Sequence, residues 1–234
     1  MSQETRATSL ALLSGGLDST VALALALREG PVRLALTVDY GQRCAGREVE
    51  ASRRIARDRD VEHRVVDVRF LGALGGNALV DPKRPLPKPG ESDLIGAAAQ
   101  RSADAVWVPN RNGLLVNVAA AFAEALGVDR IIVGFNAEEG ETFPDNTAGF
   151  LEATNAALVY STRGRVRLAS PTLTMRKAEI VIEGRRAGAP LEWVWPCYES
   201  GEMPCGACES CVRFERALRD AGLAGSFESA WRRR

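Results

Sequence analysis

The strongest constraint on this chain is a loop that reads Ser14-Gly15-Gly16-Leu17-Asp18-Ser19-Thr20. It follows Ser9-Leu10-Ala11-Leu12-Leu13, a short apolar run of the kind that forms a buried strand. It leads into Ser19 to Arg28, an Ala- and Leu-rich stretch that reads as a helix stopped by Gly30-Pro31. Glycines at a strand-to-helix turn let the backbone approach a ligand closely and take positive φ. The helix start adds unpaired N–H groups and a partial positive charge. Together these make a cradle for phosphate, with hydroxyl donors from Ser14, Ser19 and Thr20. Asp18 stands apart, because a carboxylate beside phosphates is repelled unless something offsets it. It either caps the helix or helps to place Mg²⁺. No Gly-Lys-Ser/Thr follows, so this is not a Walker A loop.

The strand–helix alternation continues. Residues 32–39 and 62–68 read as strands, and 48–57 as a helix. This order predicts an α/β fold on a parallel sheet. The segment 72–102 breaks the pattern, because Pro82, Pro85, Pro87 and Pro89 discourage regular structure. It reads as an insertion loop, a candidate for ordering by ligand. The pattern resumes at Ala105-Val106-Trp107-Val108. A helix is expected over 114–126, closed by Gly127, then a strand over 130–134. Residues 147–160 read as helix and 166–170 as extended. A helix over 175–187 takes Thr174 as its N-cap, and a last helix spans 213–221.

Size and charge narrow the function. A chain of 234 residues fits one large domain with a small appendage: here 1–195 as the α/β domain and 196–234 as a C-terminal element. Thirty basic residues balance thirty acidic ones, which argues against a general nucleic-acid binder. No run of 18 apolar residues is present, and residues 1–6 lack the order of a secretory signal. No membrane partner and a cytoplasmic location are therefore expected. His63 is the only histidine and sits in a strand-like segment, which disfavours Ser-His-Asp and Cys-His hydrolases.

Four of the five cysteines, Cys197, Cys205, Cys208 and Cys211, fall within fifteen residues. Two overlapping Cys-x-x-Cys steps and a thiol upstream can close around one ion. A closed four-thiolate tetrahedron favours a structural Zn²⁺ that ties down the chain end. A redox Cys-x-x-Cys and an iron–sulfur cluster are the rival readings. Cys44 stands alone and reads as a small buried or idle thiol.

The loop looks like the signature of the PP-loop ATP pyrophosphatases. With the cysteines, the chain resembles the 7-cyano-7-deazaguanine synthase family of that superfamily, from about Ser9 to Gly222. The resemblance also rests on Asp39-Tyr40-Gly41-Gln42-Arg43, Val108-Pro109-Asn110-Arg111-Asn112 and Gly134-Phe135-Asn136-Ala137. Phe143-Pro144-Asp145 and Thr174-Met175-Arg176-Lys177-Ala178-Glu179 complete it.

It implies a three-layer, parallel-sheet PP-loop domain of the adenine nucleotide alpha hydrolase type. It implies a homodimeric ligase that uses ATP, with Mg²⁺ and a structural Zn²⁺. Its substrates would be 7-carboxy-7-deazaguanine and ammonia, its intermediates an adenylated carboxylate and an amide, and its product the nitrile. On this resemblance Leu13, Ser14, Gly15, Gly16, Leu17, Asp18, Ser19, Thr20, Val21, Ala22 and Leu23 line the ATP site, with Val38 and Asp39 near adenine. Asp18, Ser19, Lys177 and Arg111 carry the chemistry. Arg111, Asn112, Phe143 and Asp145 meet the substrate, Phe143 by stacking and Asp145 by accepting from its amino group. The chain departs from many members of the family at Cys44 (His in those), at Asn110 (Gly in those) and over Glu138 to Phe143, and these departures bear on substrate contacts. A PP-loop enzyme acting on tRNA or on another acid is the alternative. A zinc-bearing binding module that uses Arg232-Arg233-Arg234 is a third reading.

Overall fold

The computed structural model describes residues 7–226, so the basic tail at 232–234 lies outside the described residues. Strands β1 (Ser9–Leu12), β2 (Val32–Asp39), β3 (His63–Asp67), β4 (Arg130–Ile132) and β5 (Arg167–Ala169) form one sheet. Their order is β3-β2-β1-β4-β5, and every pairing is parallel. Alternate side chains point to opposite faces. Ala11, Ala35 and Ile132 pack against α1 (Leu17–Glu29) and α2 (Ala45–Asp58). Leu10, Leu34, Leu36 and Ile131 pack against α5 (Arg111–Leu126) and α7 (Ala148–Ser161). The result is the expected three-layer α/β architecture. These four side chains are fully buried, each contributing about 2 kcal/mol.

Shorter elements complete the chain: α3 (Phe70–Ala73), α4 (Gly96–Ala105), α6 (Ala137–Gly140), α8 (Lys177–Arg186) and α9 (Glu209–Asp220). Helices α8 and α9 pack beside α1, through Ile180, Val181, Phe214 and Ala217 against Leu17, Val21 and Ala24. Among the described residues, no helix is long and apolar enough to cross a membrane.

Four local readings change. The insertion 72–102 carries a 3₁₀ turn at Glu91–Leu94 and most of α4. All four prolines precede these elements, and Gly96 to Ala105 is rich in helix-forming Ala. Residues 105–108 form no strand; Val106 and Val108 are buried in coil that leads into α5. Helix α5 begins at Arg111, earlier than its pattern suggests, after Asn110 in the left-handed region at φ 50°. Helix α8 is capped at Arg176, not Thr174, with Glu179 Oε2 accepting from the Arg176 N–H at 2.7 Å.

The strand order reverses between β1 and β4, and such switch points are where open α/β sheets bind ligands. The phosphate loop leaves β1 there, and Gly134 follows β4. A Cβ on Gly134 would fall 2.6 Å from Asp18 C and Ser19 N.

Candidate active site

The phosphate loop is held from several sides. The Leu13 carbonyl accepts from Thr37 Oγ1 at 2.6 Å and from Ser52 Oγ at 3.1 Å. Gly15 adopts φ 75°, and a Cβ there would meet Ala51 Cβ at 2.8 Å and the Glu48 carbonyl at 2.9 Å. Glycine is required on both counts. Ser19 Oγ accepts from the Ser14 N–H at 3.2 Å and lies 3.1 Å from Ser14 Oγ. Thr20 Oγ1 donates to the Gly16 carbonyl at 2.7 Å, so its hydroxyl is spent inside the helix start.

Asp18, in the first turn of α1, meets Lys177 at the first residue of α8. Lys177 Nζ lies 2.6 Å from Asp18 Oδ2 and 2.5 Å from Glu139 Oε1. Burial opposes the Lys177 ammonium, but the two carboxylates outweigh it and hold the proton more tightly than usual. Burial pushes the Asp18 carboxyl up to about 6 against the pull of Lys177. Burial raises Glu139 too, but Lys177, Arg213 and Arg111 prevail and hold it below the usual carboxylate range. Asp18 Oδ1 is buried without a hydrogen-bond partner.

Glu138 precedes Glu139 in the same acidic stretch. It is buried, accepts from the Lys177 backbone N–H at 3.0 Å and forms an ion pair with Arg216 of α9. The acidic stretch that departs from the family pattern thus anchors α8 and α9 behind the loop.

A cavity of about 260 Å³ opens beside the loop, walled opposite by Tyr40, Arg111, Asn112 and Tyr198. Arg111 lies over the Tyr40 ring, 5.7 Å from its centroid, and donates to Asn112 Oδ1 at 3.1 Å. Burial pushes both tyrosine hydroxyls well above their usual value, so both stay neutral. Glu48 also lines the cavity, accepting from Gln42 Nε2 at 2.6 Å and from the Cys44 thiol at 3.4 Å.

The cysteine segment forms part of the same wall. The sulfur atoms of Cys197, Cys205, Cys208 and Cys211 all lie within 4.8 Å of one another, and none is in a disulfide. A Zn–S distance near 2.3 Å puts thiolates in a tetrahedron about 3.8 Å apart, so the cluster fits a metal ion. Backbone N–H groups of Glu199 and Cys205 point at Cys197 Sγ, and those of Ala207 and Cys208 at Cys205 Sγ. Trp195 N donates to the Gly15 carbonyl at 2.8 Å, which joins this segment directly to the phosphate loop.

The structure brings together Leu13, Ser14, Gly16, Leu17, Asp18, Ser19, Val38, Arg111, Asn112 and Lys177 around one cavity. It does not bring in the rest. Gly15 is packed against α2, and Val21, Ala22 and Leu23 are buried in the core on the inner turns of α1. Thr20 is turned inward with them. The Asp39 carboxylate folds back to accept from the Gly41 N–H at 2.9 Å. Phe143 stacks on Trp107 at 6.3 Å between centroids, away from the cavity. Asp145 presents its carbonyl to Asn112 Nδ2 at 3.3 Å and its carboxylate to Asn146 Nδ2 at 3.2 Å, and so reaches the cavity through these two lining side chains. Sequence reading missed Glu48, Glu139, Trp195 and Tyr198. Glu139 and Tyr198 lay within flagged segments, but Glu48 sits in a charged helix with nothing to mark it.

The chain is similar to several known proteins. A 7-cyano-7-deazaguanine synthase of Desulforudis audaxviator is 50% identical over 91% of this chain and 97% of its own. One from Pelotomaculum thermopropionicum is 49% identical over 92% and 98%. Among solved structures, a 4-thiouridine synthetase–RNA complex with bound ATP aligns over 97% of this chain and 53% of its own, at 17% identity and a TM-score of 0.48. Residues 8–222 match the family described as queuosine biosynthesis protein QueC, and the chain belongs to that family.

Proposed function

We infer that the protein converts 7-carboxy-7-deazaguanine, ammonia and ATP into 7-cyano-7-deazaguanine, in the biosynthesis of queuosine-type nucleosides. One observation carries most of this reading. A phosphate loop, a buried lysine and a cysteine-walled cavity meet at the switch point of the sheet, in a chain of this family.

A carboxylate resists nucleophiles because oxide is a poor leaving group. The substrate carboxylate attacks the α-phosphorus of ATP and pyrophosphate departs. The N–H groups of Ser14 to Ser19 and the Lys177 ammonium hold that departing charge. Ammonia then displaces AMP to give the amide. Activating the amide oxygen in the same way and eliminating AMP leaves the nitrile. Val38 borders the adenine site, and Arg111 and Asn112 meet the substrate, with Phe143 and Asp145 behind them.

Mg²⁺ fits at Asp18, whose partnerless Oδ1 lies beside the loop, and when bound it neutralises phosphate charge. Zn²⁺ fits the four cysteines, a closed donor set that leaves no catalytic position. Residues 1–195 then act as the catalytic domain and 196–234 as the element that seals it. The protein works in the cytoplasm as a homodimer, without nucleic-acid or membrane partners. The outward side of α7, with Val159 and Tyr160 exposed, supports a contact between copies. Mass spectrometry of products from the carboxylated deazaguanine, ATP, Mg²⁺ and ammonium tests the reading. The nitrile and AMP are expected; no substrate-dependent AMP overturns it.

A further inference from the structure

The ammonia step needs a base. At neutral pH ammonia is mostly ammonium, which has no lone pair to attack an acyl carbon. His63, the only histidine, does not serve. Its ring Nε2 lies 2.8 Å from Thr37 Oγ1, behind the Leu13 carbonyl, and it does not line the cavity. Three carboxylates do line it: Asp18, Glu139 and Glu48. The first two are both bound to the Lys177 ammonium.

Glu48 differs in every respect that matters to a base. Its hydrogen bonds come from neutral donors, the Gln42 amide at 2.6 Å and the Cys44 thiol at 3.4 Å. These fix the carboxylate and leave lone pairs over for a further donor. Its helix abuts the phosphate loop, since a Cβ on Gly15 would fall 2.9 Å from the Glu48 carbonyl. Glu48 lines the same cavity as Ser14, Gly16, Asp18 and Ser19 of the phosphate loop.

We propose that Glu48 is the catalytic base that takes a proton from ammonium at the amidation step. This rests on the synthase reading above. One N–H bond of ammonium breaks and its proton goes to Glu48 Oε. The freed electron pair forms the C–N bond at the acyl carbon. The C–O bond to the phosphate breaks, its pair leaves on AMP, and AMP takes the second proton that the nitrogen sheds. The products are amide, protonated AMP and neutral Glu48, and atoms and charge balance.

The surroundings suit the task. Burial raises the Glu48 carboxyl above its ordinary value, opposed by Gln42, Cys44 and Arg111 and helped by Asp39. A base closer to neutrality accepts a proton more effectively. Burial also raises the Cys44 thiol, which keeps it protonated and so a donor to Glu48.

The test separates proton removal from folding and from nucleotide binding. Forming the acyl adenylate needs no base, so ATP–pyrophosphate exchange dependent on the carboxylated deazaguanine should survive in Glu48→Gln. Amide and nitrile formation from ammonium should fall by about a hundredfold. Hydroxylamine is neutral at the assay pH and needs no such base, so hydroxamate formation should survive. Three results together support the proposal: exchange kept, hydroxamate kept, ammonium turnover lost. Unchanged ammonium turnover overturns it. So does parallel loss of exchange and hydroxamate in a folded variant, which would mark a positioning role. Glu48→Asp draws the carboxylate back by one methylene and serves if Glu48→Gln does not fold. Its ammonium-to-hydroxylamine ratio should fall, and an unchanged ratio overturns the proposal. Absence of exchange in the wild-type protein would count against the synthase reading instead.

Discussion

Lys177 Nζ sits 2.6 Å from Asp18 Oδ2 across 159 residues of sequence. The same ammonium holds Glu139, so one cation bridges two partly buried carboxylates from α1 and α6. Lys177→Gln should leave both without that charge. Breaking a buried pair of this kind costs about 3–5 kcal/mol. Urea unfolding should report a loss of that order, and pyrophosphate release should fall below detection.

The Asp18 carboxyl rises from its ordinary 3.8 to about 6 in the folded protein. Between those values the native state keeps a proton that the unfolded chain has released. The contribution of this group is therefore full below the lower value and is lost as pH rises to the upper one, by roughly 3 kcal/mol. Asp18→Asn should remove that slope. Unfolding free energies of both proteins across this window give the difference curve, which should fall with rising pH and flatten above about 6.

Gly134→Ala introduces a methyl 2.6 Å from the backbone of Asp18 and Ser19. Neither neighbour is a flexible side chain that can swing away. The loop itself must shift, at a cost of about 1–3 kcal/mol. The KM for ATP should rise at least several-fold, with the sheet intact by circular dichroism.

How much of this was legible beforehand depends on distance along the chain. The loop at 14–20 and the cysteines at 197–211 are contiguous, so their chemistry reads directly. The helix read over 147–160 is α7, with Thr147 as its cap, accepting from the Phe150 N–H at 3.2 Å. By contrast, nothing local says that Lys177 meets Asp18, that Trp195 binds Gly15, or that Phe143 stacks on Trp107 rather than facing the cavity. Asn110 shows the reverse. Its departure from the family pattern looked like a change in substrate contact. At φ 50° it is a backbone matter, because Gly and Asn are the residues that tolerate that region.

Asn110→Gly should accordingly be close to neutral in stability and turnover. Asn110→Ala should lose about 1–2 kcal/mol, visible as a lower urea midpoint with unchanged KM values.

Cys208→Ser removes one of four sulfur ligands and should cut the zinc bound per chain in elemental analysis. The wall formed by Trp195, Cys197 and Tyr198 depends on that cluster. Calorimetry should therefore show weaker ATP binding, although no cysteine needs to touch the nucleotide. Full zinc content and full ATP affinity in the variant would sink this expectation.

The bond from Trp195 N to the Gly15 carbonyl has a consequence for synthesis on the ribosome. The loop emerges well before its supports at 177 and 195. A nascent chain can pair β1 with β2 early and still hold no competent nucleotide site. The catalytic centre is completed only once residue 195 is out. A chain cut short before residue 177 should therefore be folded in part and unable to turn over ATP, which spares the cell a half-made enzyme that consumes nucleotide.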